Sequence, residues 1–288
     1  MQATAQAHPI QGLIKYHGMR DATLRYPYHD SISVSTAPSV TTTTVAFEPD
    51  AAEDVYEIDG SAVTGQGADR IRTVVDHVRT LADIDAPVRL VSENTFPTNI
   101  GFGSSSSGFA AAALALVTAA GLELSHEAIS AIARRGSASA ARAVTGGFSH
   151  LRSGYDDQDC RSAAIETGLS ETLQILAVEV PAFKHTAQAH AEAAESPMFD
   201  ARRAHMDEQI DRMRAALHAD DLPAVCALAE ADTLSLAATT MTGPAGWIYW
   251  RPVTLAVFDL VRTLRTDEEV PVWFSTDTGA SVYVNTTA

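Results

Sequence analysis

The sequence predicts a protein of mixed α and β structure, because β-branched, alternating segments come early in the chain while apolar residues at helical spacing dominate its second half. With 288 residues, 46% of them apolar, the chain has material for one large domain or for two smaller lobes sharing a core. Residues 30–47 (DSISVSTAPSVTTTTVAF) read as two strands broken near Pro38. Ile71, Val74, Val75, Val78 and Leu81 recur at helical spacing within residues 69–83, and residues 88–91 form a short apolar strand. Residues 94–108 (NTFPTNIGFGSSSSG) read as a loop leading straight into an Ala/Leu-rich helix over 109–120. Ser125 caps a further helix that ends at Gly136, and a second Ser/Gly segment fills 136–147. An apolar strand at 174–180 precedes helices over 198–217, 222–239 and 253–265. Residues 270–274 and 280–284 then read as two strands joined by a tight turn (STDTG, 275–279) that carries Asp277. A soft boundary falls near residue 170, dividing the chain into regions 1–170 and 171–288.

Charge and cysteine usage restrict the partners. A formal net charge of −16 argues against nucleic acid or an anionic membrane surface. No stretch of about 20 apolar residues reads as a membrane span, and no leader is apparent, so a cytoplasmic protein is expected. Cys160 and Cys226 lie far apart without metal-type spacing and read as buried apolar residues. Of the 20 basic residues, 18 are arginine, and the lysines are Lys15 and Lys184. Acid excess with lysine depletion resembles proteins of salt-loving archaea, in which salt screens self-repulsion. The fold is therefore expected to be lost at low salt. An unfolding temperature that is the same in dilute buffer and in molar potassium chloride would refute this.

Two segments carry the chemistry. A Gly/Ser loop ahead of a helix, with Gly101, Gly103, Ser104, Ser105, Ser106 and Ser107, offers backbone N–H groups, hydroxyls and a helix N-terminus to an anion such as a nucleotide triphosphate. It lacks the Gly-Lys-Ser/Thr ending of a P-loop, and on composition alone it also reads as a serine linker. Asp277, taken by itself, reads either as an active carboxylate or as a residue stabilising its turn.

The run PTNIGFGSSSSGFAAAALAL resembles the phosphate-binding motif of the kinases acting on galactose, homoserine, mevalonate and phosphomevalonate. Within that superfamily the chain is most similar to the mevalonate diphosphate decarboxylases. IKYHGMRD with DSISV, RGSASAARAVTGG, and STDTGA match that branch in order, so the resemblance covers nearly the whole chain. It implies the two-lobed α+β fold of these kinases, with a left-handed β-α-β unit in the N-terminal lobe. It implies use of ATP and Mg²⁺ to phosphorylate a C3 hydroxyl, followed by loss of phosphate and carbon dioxide. Asp277 matches the base or orienter of that hydroxyl, Lys15 the cation beside it, and Arg142 the guanidinium that grips the leaving carboxylate. Tyr16, Ser137 and Ser139 match substrate-binding positions, although the two serines also read as helix caps. The nucleotide is expected over Ser104–Ser107 with Asn94 nearby; Ser105 stands for a serine cluster expected to meet the magnesium. Glu93 reads as a second nucleotide contact or as a solvated strand end. Relatives are commonly homodimers.

Family members that use the 5-diphosphate carry a lysine where this chain has Met19, and an aromatic residue where it has His17. Loss of a charge-assisted contact favours a smaller anion, mevalonate 5-phosphate. Lys184 and His185 are expected as further phosphate contacts or as the start of a surface loop. These departures resemble the archaeal phosphomevalonate decarboxylases, whose product is isopentenyl phosphate. The alternatives are a diphosphate decarboxylase, with Arg20 or Arg70 reaching the terminal phosphate, a kinase that stops after phosphorylating C3, and a non-catalytic ligand-binding member.

Overall fold

The computed structural model describes residues 1–97, 103–182 and 186–287, so Gly101, Lys184 and His185 lie outside the described residues. Among those described, a five-stranded sheet runs in the order Gln2–Ala7, Thr41–Phe47, Val88–Asn94, Val55–Ile58 and Ser61–Ala62. Its parallel pair, Val55–Ile58 with Val88–Asn94, is joined through helix Gly65–Ala82, which makes a β-α-β unit. A four-stranded sheet runs Ser162–Ile165, Phe148–Leu151, Ser31–Ser35 and Ile10–Ile14, and a three-stranded sheet runs Leu173–Val178, Val282–Thr287 and Val272–Ser275. The break expected near Pro38 therefore separates strands of two different sheets.

Strands Gln2–Ala7 and Ile10–Ile14 were not expected. The second is buried at every position, including Gln11, so the polar/apolar alternation that betrays a half-buried strand is missing. Helix Gly65–Ala82 buries Ile71, Val74, Val75 and Val78 as their spacing requires, but Leu81 is exposed. Helix His126–Gly136 starts where Ser125 accepts from the Ala128 N–H, and a short helix, Ala140–Thr145, occupies part of the second Ser/Gly segment. Helices Phe199–His218, Leu222–Met241 and Pro252–Asp267 match the expected helical second half.

The expected loop over 94–108 is corrected in one respect: the helix begins at Ser104 and runs to Ala119, so all four serines lie in its first turns. Gly103 takes the N-cap position with φ +75°, and the Ser106 N–H and hydroxyl both return to its carbonyl, at 2.7 and 2.6 Å. Serine is a poor helix former in mid-helix but suits a first turn, where its hydroxyl satisfies a terminal backbone group. Beyond the serines the helix is largely buried, with Thr118 exposed near its end, against strands Gln2–Ala7 and Thr41–Phe47 and against helices His126–Gly136 and Ala140–Thr145. Alanine at 110–113 and 115 permits that close approach.

A second core unites the two sides of residue 170. Leu13, Ile14, Ile32, Val34 and Phe148 pack with Met206, Ile210, Met213, Val225 and Cys226. Among the described residues one helix, Leu222–Met241, is long and apolar enough by composition to cross a membrane, but 61% of that apolar window is buried within the protein. Its carboxylates, Glu230 and Asp232, are ion-paired to Arg265 and to Lys15 and Arg202. Cys160 and Cys226 are both free and buried, as expected, and burial pushes their thiols up to about 11 and about 12.

Candidate active site

A cleft of about 470 Å³ opens between the start of helix Ser104–Ala119, the segment after strand Ile10–Ile14, and the turn after strand Val272–Ser275. Strand Ile10–Ile14 shifts register against Ser31–Ser35 between Gly12 and Ile14. Such an irregularity re-aims the following side chains, and Lys15 and Tyr16 enter the cleft directly beyond it.

Asp277 is pinned from two sides. Gln11 Nε2 donates to Ser275 Oγ and Asn285 Oδ1, at 2.7 and 3.0 Å, fastening the N-terminal strand to the three-stranded sheet. The Gly12 N–H then donates to Asp277 Oδ1 at 3.1 Å, and the Thr276 N–H donates to Thr233 Oγ1 at 3.1 Å. A Cβ at Gly12 would stand 2.7 Å from Lys15 Cγ and 3.0 Å from Asp277 Oδ1. Glycine leaves room there for both side chains.

Lys15 lies within electrostatic reach of Asp277, and the direct ion-pair partner of its ammonium is Asp232, at 3.3 Å. Asp232 also accepts from the Lys15 N–H, at 3.0 Å, and from Arg202 Nη2, at 2.7 Å; Arg202 Nη2 reaches the Lys15 carbonyl too, at 2.7 Å. Burial favours the neutral acid at Asp232, but Arg202 and Lys15 outweigh it and hold the carboxyl below its ordinary range. Lys15 is lowered from the usual lysine value, chiefly by burial, with Asp232 and Asp277 opposing the shift. One carboxylate thus serves two cations and leaves a net positive charge beside Asp277. Sequence reasoning missed Asp232 and Arg202. The available signal was a pair of acids, Glu230 and Asp232, inside an otherwise apolar helical run.

Arg142 lies in helix Ala140–Thr145 with only 3% of its surface exposed, and its Nε and Nη1 find no partner among the described residues. The guanidinium stands 5.3 Å from the centre of the Tyr16 ring, which stacks in turn on His190. Buried donors without acceptors are uncommon, and an anion in the cleft would satisfy them. Ser137 and Ser139 line the same wall, their hydroxyls 2.9 Å apart. His17 is buried, tilted against His190, and lowered to about 2, chiefly by burial, so at working pH it packs as a neutral ring.

Met19, Gly103, Ser104, Ser105 and Ser106 also line the cleft. Ser106 is fully buried and committed to Gly103 and the Ile10 N–H, whereas Ser104 and Ser105 retain some exposure. Two expected nucleotide contacts are placed elsewhere. Ser107 points into the core, 2.7 Å from Thr41 Oγ1, and Asn94 bonds to Asp59 and Thr41. Neither is among the described residues lining the cleft. Glu93 is exposed at its strand end.

In a protein of net charge −16, the described lining residues include Lys15, Arg25, Arg70 and Arg142 against the single carboxylate of Asp277. This focused positive field suits a multiply anionic ligand. A left-handed glycine at a helix N-cap, followed by two accessible serines, fits a triphosphate, since a Cβ at Gly103 would crowd the Ile10 carbonyl at 3.2 Å. No cluster of three His, Cys, Asp or Glu side chains occurs among the described residues. Among the described lining residues, the Ser104 and Ser105 hydroxyls at the helix start offer oxygen donors to a magnesium ion, which would take its remaining ligands from phosphate and water.

A family model described as the diphosphomevalonate decarboxylase-like N-terminal domain matches residues 7–162. The chain belongs to this family. It is 68% identical over 287 residues to the phosphomevalonate decarboxylase of Haloferax volcanii, covering 100% of this chain and 89% of that protein. A diphosphomevalonate decarboxylase of Aspergillus fumigatus is 27% identical, over 92% of this chain and 71% of that one. Among solved structures, mevalonate diphosphate decarboxylase from Staphylococcus aureus superposes with a TM-score of 0.95 at 28% identity, over 99% and 88% of the two chains. The Enterococcus faecalis enzyme gives 0.93 at 29% identity, over 100% and 89%. A structure described as MDDEF in complex with MVAPP, AMPPCP and magnesium gives the same TM-score, identity and coverage. The α+β architecture is accordingly the fold of this decarboxylase family and of its kinase superfamily.

Proposed function

We propose that this enzyme catalyses the ATP-dependent decarboxylation of mevalonate 5-phosphate. The γ-phosphoryl group passes from ATP to the C3 oxygen, giving ADP. The C3–O bond then breaks as the bond from C2 to the carboxylate breaks, and its electron pair becomes the new double bond. The products are phosphate, carbon dioxide and isopentenyl phosphate. The observation that carries this reading is the convergence of Asp277, Lys15 and the Arg142 guanidinium, whose Nε and Nη1 lack partners among the described residues, in one cationic cleft beside the Ser104 helix start.

Asp277, fixed by the Gly12 N–H, orients the C3 hydroxyl and accepts its proton as the phosphoryl group arrives. Lys15 supplies positive charge beside Asp277 and offsets charge developing on the transferred group. Arg142 holds the substrate carboxylate so that the breaking C–C bond aligns with the departing C3–O bond. Ser137 and Ser139 supply hydroxyls along the same wall. Magnesium, bound with the nucleotide at Ser104 and Ser105, would neutralise phosphate charge. The proposal includes a cytoplasmic homodimer, for which two inert buried thiols suit a reducing compartment.

Two observations support the monophosphate. Met19 lines the cleft without a charge, and the Haloferax relative at 68% identity is a phosphomevalonate decarboxylase. Arg20 does not make up the loss, because its guanidinium bonds the Ser153 carbonyl at 3.1 Å and lies over the Tyr155 ring. The test is ADP release in molar potassium chloride with mevalonate 5-phosphate and with its 5-diphosphate. The monophosphate should give the higher kcat/KM, and no ADP release with either substrate would end the enzyme reading. Met19→Lys should move the kcat/KM ratio toward the diphosphate by about tenfold, the value of one charge-assisted contact. An unchanged ratio would refute the role of position 19.

A further inference from the structure

Position 19 lacks a cation, yet the hairpin that carries it supplies one elsewhere. Strand Met19–Asp21 pairs with Tyr26–Pro27, and Arg25, at the end of the intervening turn, lines the same cleft as Met19. Arg25 has φ +57°, the left-handed region that side chains avoid and that persists where surrounding structure enforces it.

What enforces it is the C-terminal end of helix His126–Gly136. Arg25 Nε donates to the Arg135 carbonyl at 3.0 Å, while Arg70 Nε and Nη2 donate to the next carbonyl, that of Gly136, at 3.0 and 2.8 Å. Terminal helix carbonyls are the negative end of the helix dipole and suit guanidinium groups. Gly136 is required here, since a Cβ would fall 2.1 Å from the Phe109 ring, and that ring supports the Arg70 guanidinium at 4.8 Å. Neither Arg25 nor Arg70 forms an ion pair with a described carboxylate. Burial and then the charge of Arg25 lower Arg70 to about 10, and burial lowers Arg25 as well. Two adjacent guanidiniums are thus held by backbone carbonyls, against mutual repulsion. With Nε engaged, the Nη1 and Nη2 groups of Arg25 remain as a fork for an anion.

We infer that Arg25, with Arg70 beside it, binds the single 5-phosphate of the substrate and thereby sets the preference for the monophosphate, replacing along the same hairpin the cation absent at Met19. This rests on the proposed reaction. Tyr16 lies within the electrostatic reach of Arg142 and Asp277 as well as of Arg25 and Arg70, and all five line the one cleft.

The test uses Arg25→Gly, which accepts the left-handed backbone and limits any folding defect, and Arg25→Lys, which keeps the charge but not the fork. In molar potassium chloride, Arg25→Gly should raise KM for mevalonate 5-phosphate on the order of 10- to 100-fold, the effect of losing a charge-assisted contact, with little change in kcat or in KM for ATP. Arg25→Lys should recover part of the loss. Calorimetric binding of unphosphorylated mevalonate should be the same in wild type and Arg25→Gly. Equal weakening of mevalonate and mevalonate 5-phosphate would show a merely structural role and overturn the inference, as would an unchanged KM for the phosphorylated substrate. Absence of wild-type turnover on mevalonate 5-phosphate would instead overturn the reaction on which the inference rests.

Discussion

Asp277→Asn should reduce turnover by about 10²–10⁴-fold, the range expected when a positioned proton acceptor is lost. The substitution is nearly isosteric, and its side-chain carbonyl still accepts from the Gly12 N–H that holds Asp277 at 3.1 Å, so the turn should keep its shape. What disappears is the negative charge facing Lys15 and the basic oxygen beside the C3 hydroxyl. Nucleotide affinity should be little affected, since the proposed triphosphate contacts lie at Gly103 and at the start of helix Ser104–Ala119, on a different element. The measurement is kcat for ADP release together with the dissociation constant of a non-hydrolysable nucleotide. A variant with near-normal kcat would remove Asp277 from the reaction. Equal loss of nucleotide binding would mean that Asp277 acts on the nucleotide instead.

The hairpin that carries Asp277 was legible because both flanking strands are apolar, β-branched and separated by turn residues. The structure pairs them in register from Val272 with Thr286 to Ser275 with Tyr283. Helices with an apolar stripe were equally legible. The misses have physical causes. Strand Ile10–Ile14 is buried on both faces and carries Gln11 and Gly12 for reasons of tertiary contact, namely the bonds to Ser275 and Asn285 and the space that Lys15 and Asp277 need. No periodicity encodes those needs. The serine run reads as loop from propensity, and becomes helix because Gly103 and the Ser106 hydroxyl close its first turn. Motif matching located Lys15 beside Asp277 but did not find its ion-pair partner, since Asp232 lies 217 residues away in the chain and reaches Lys15 only through helix packing. Arg25 was overlooked because an arginine in a short polar turn looks like any surface residue until the helix carbonyls that hold it are in view.

Asp232→Ala should destabilise the fold by about 3–5 kcal/mol, the penalty for removing one partner of a buried ion pair and leaving the other charges uncompensated. Here two cations are stranded, since Lys15 and Arg202 both depend on this carboxylate and all three side chains are almost completely buried. Urea unfolding in molar potassium chloride measures the loss. Its pH dependence has a defined sign. The Asp232 carboxyl is held below its ordinary value, so its contribution is fully present above the unfolded value of about 3.9 and disappears as pH falls through the folded one. The stability gap between wild type and variant should therefore narrow below about pH 4. Asp232→Asn tests the same residue through activity, because the amide can still accept from the Lys15 N–H while the charge is gone. Burial already lowers Lys15, and removing an opposing carboxylate lowers it further, so the basic limb of kcat/KM should move to lower pH. A variant that is less stable but keeps the wild-type pH profile would confine Asp232 to the scaffold and separate Lys15 from its proposed charge on Asp277.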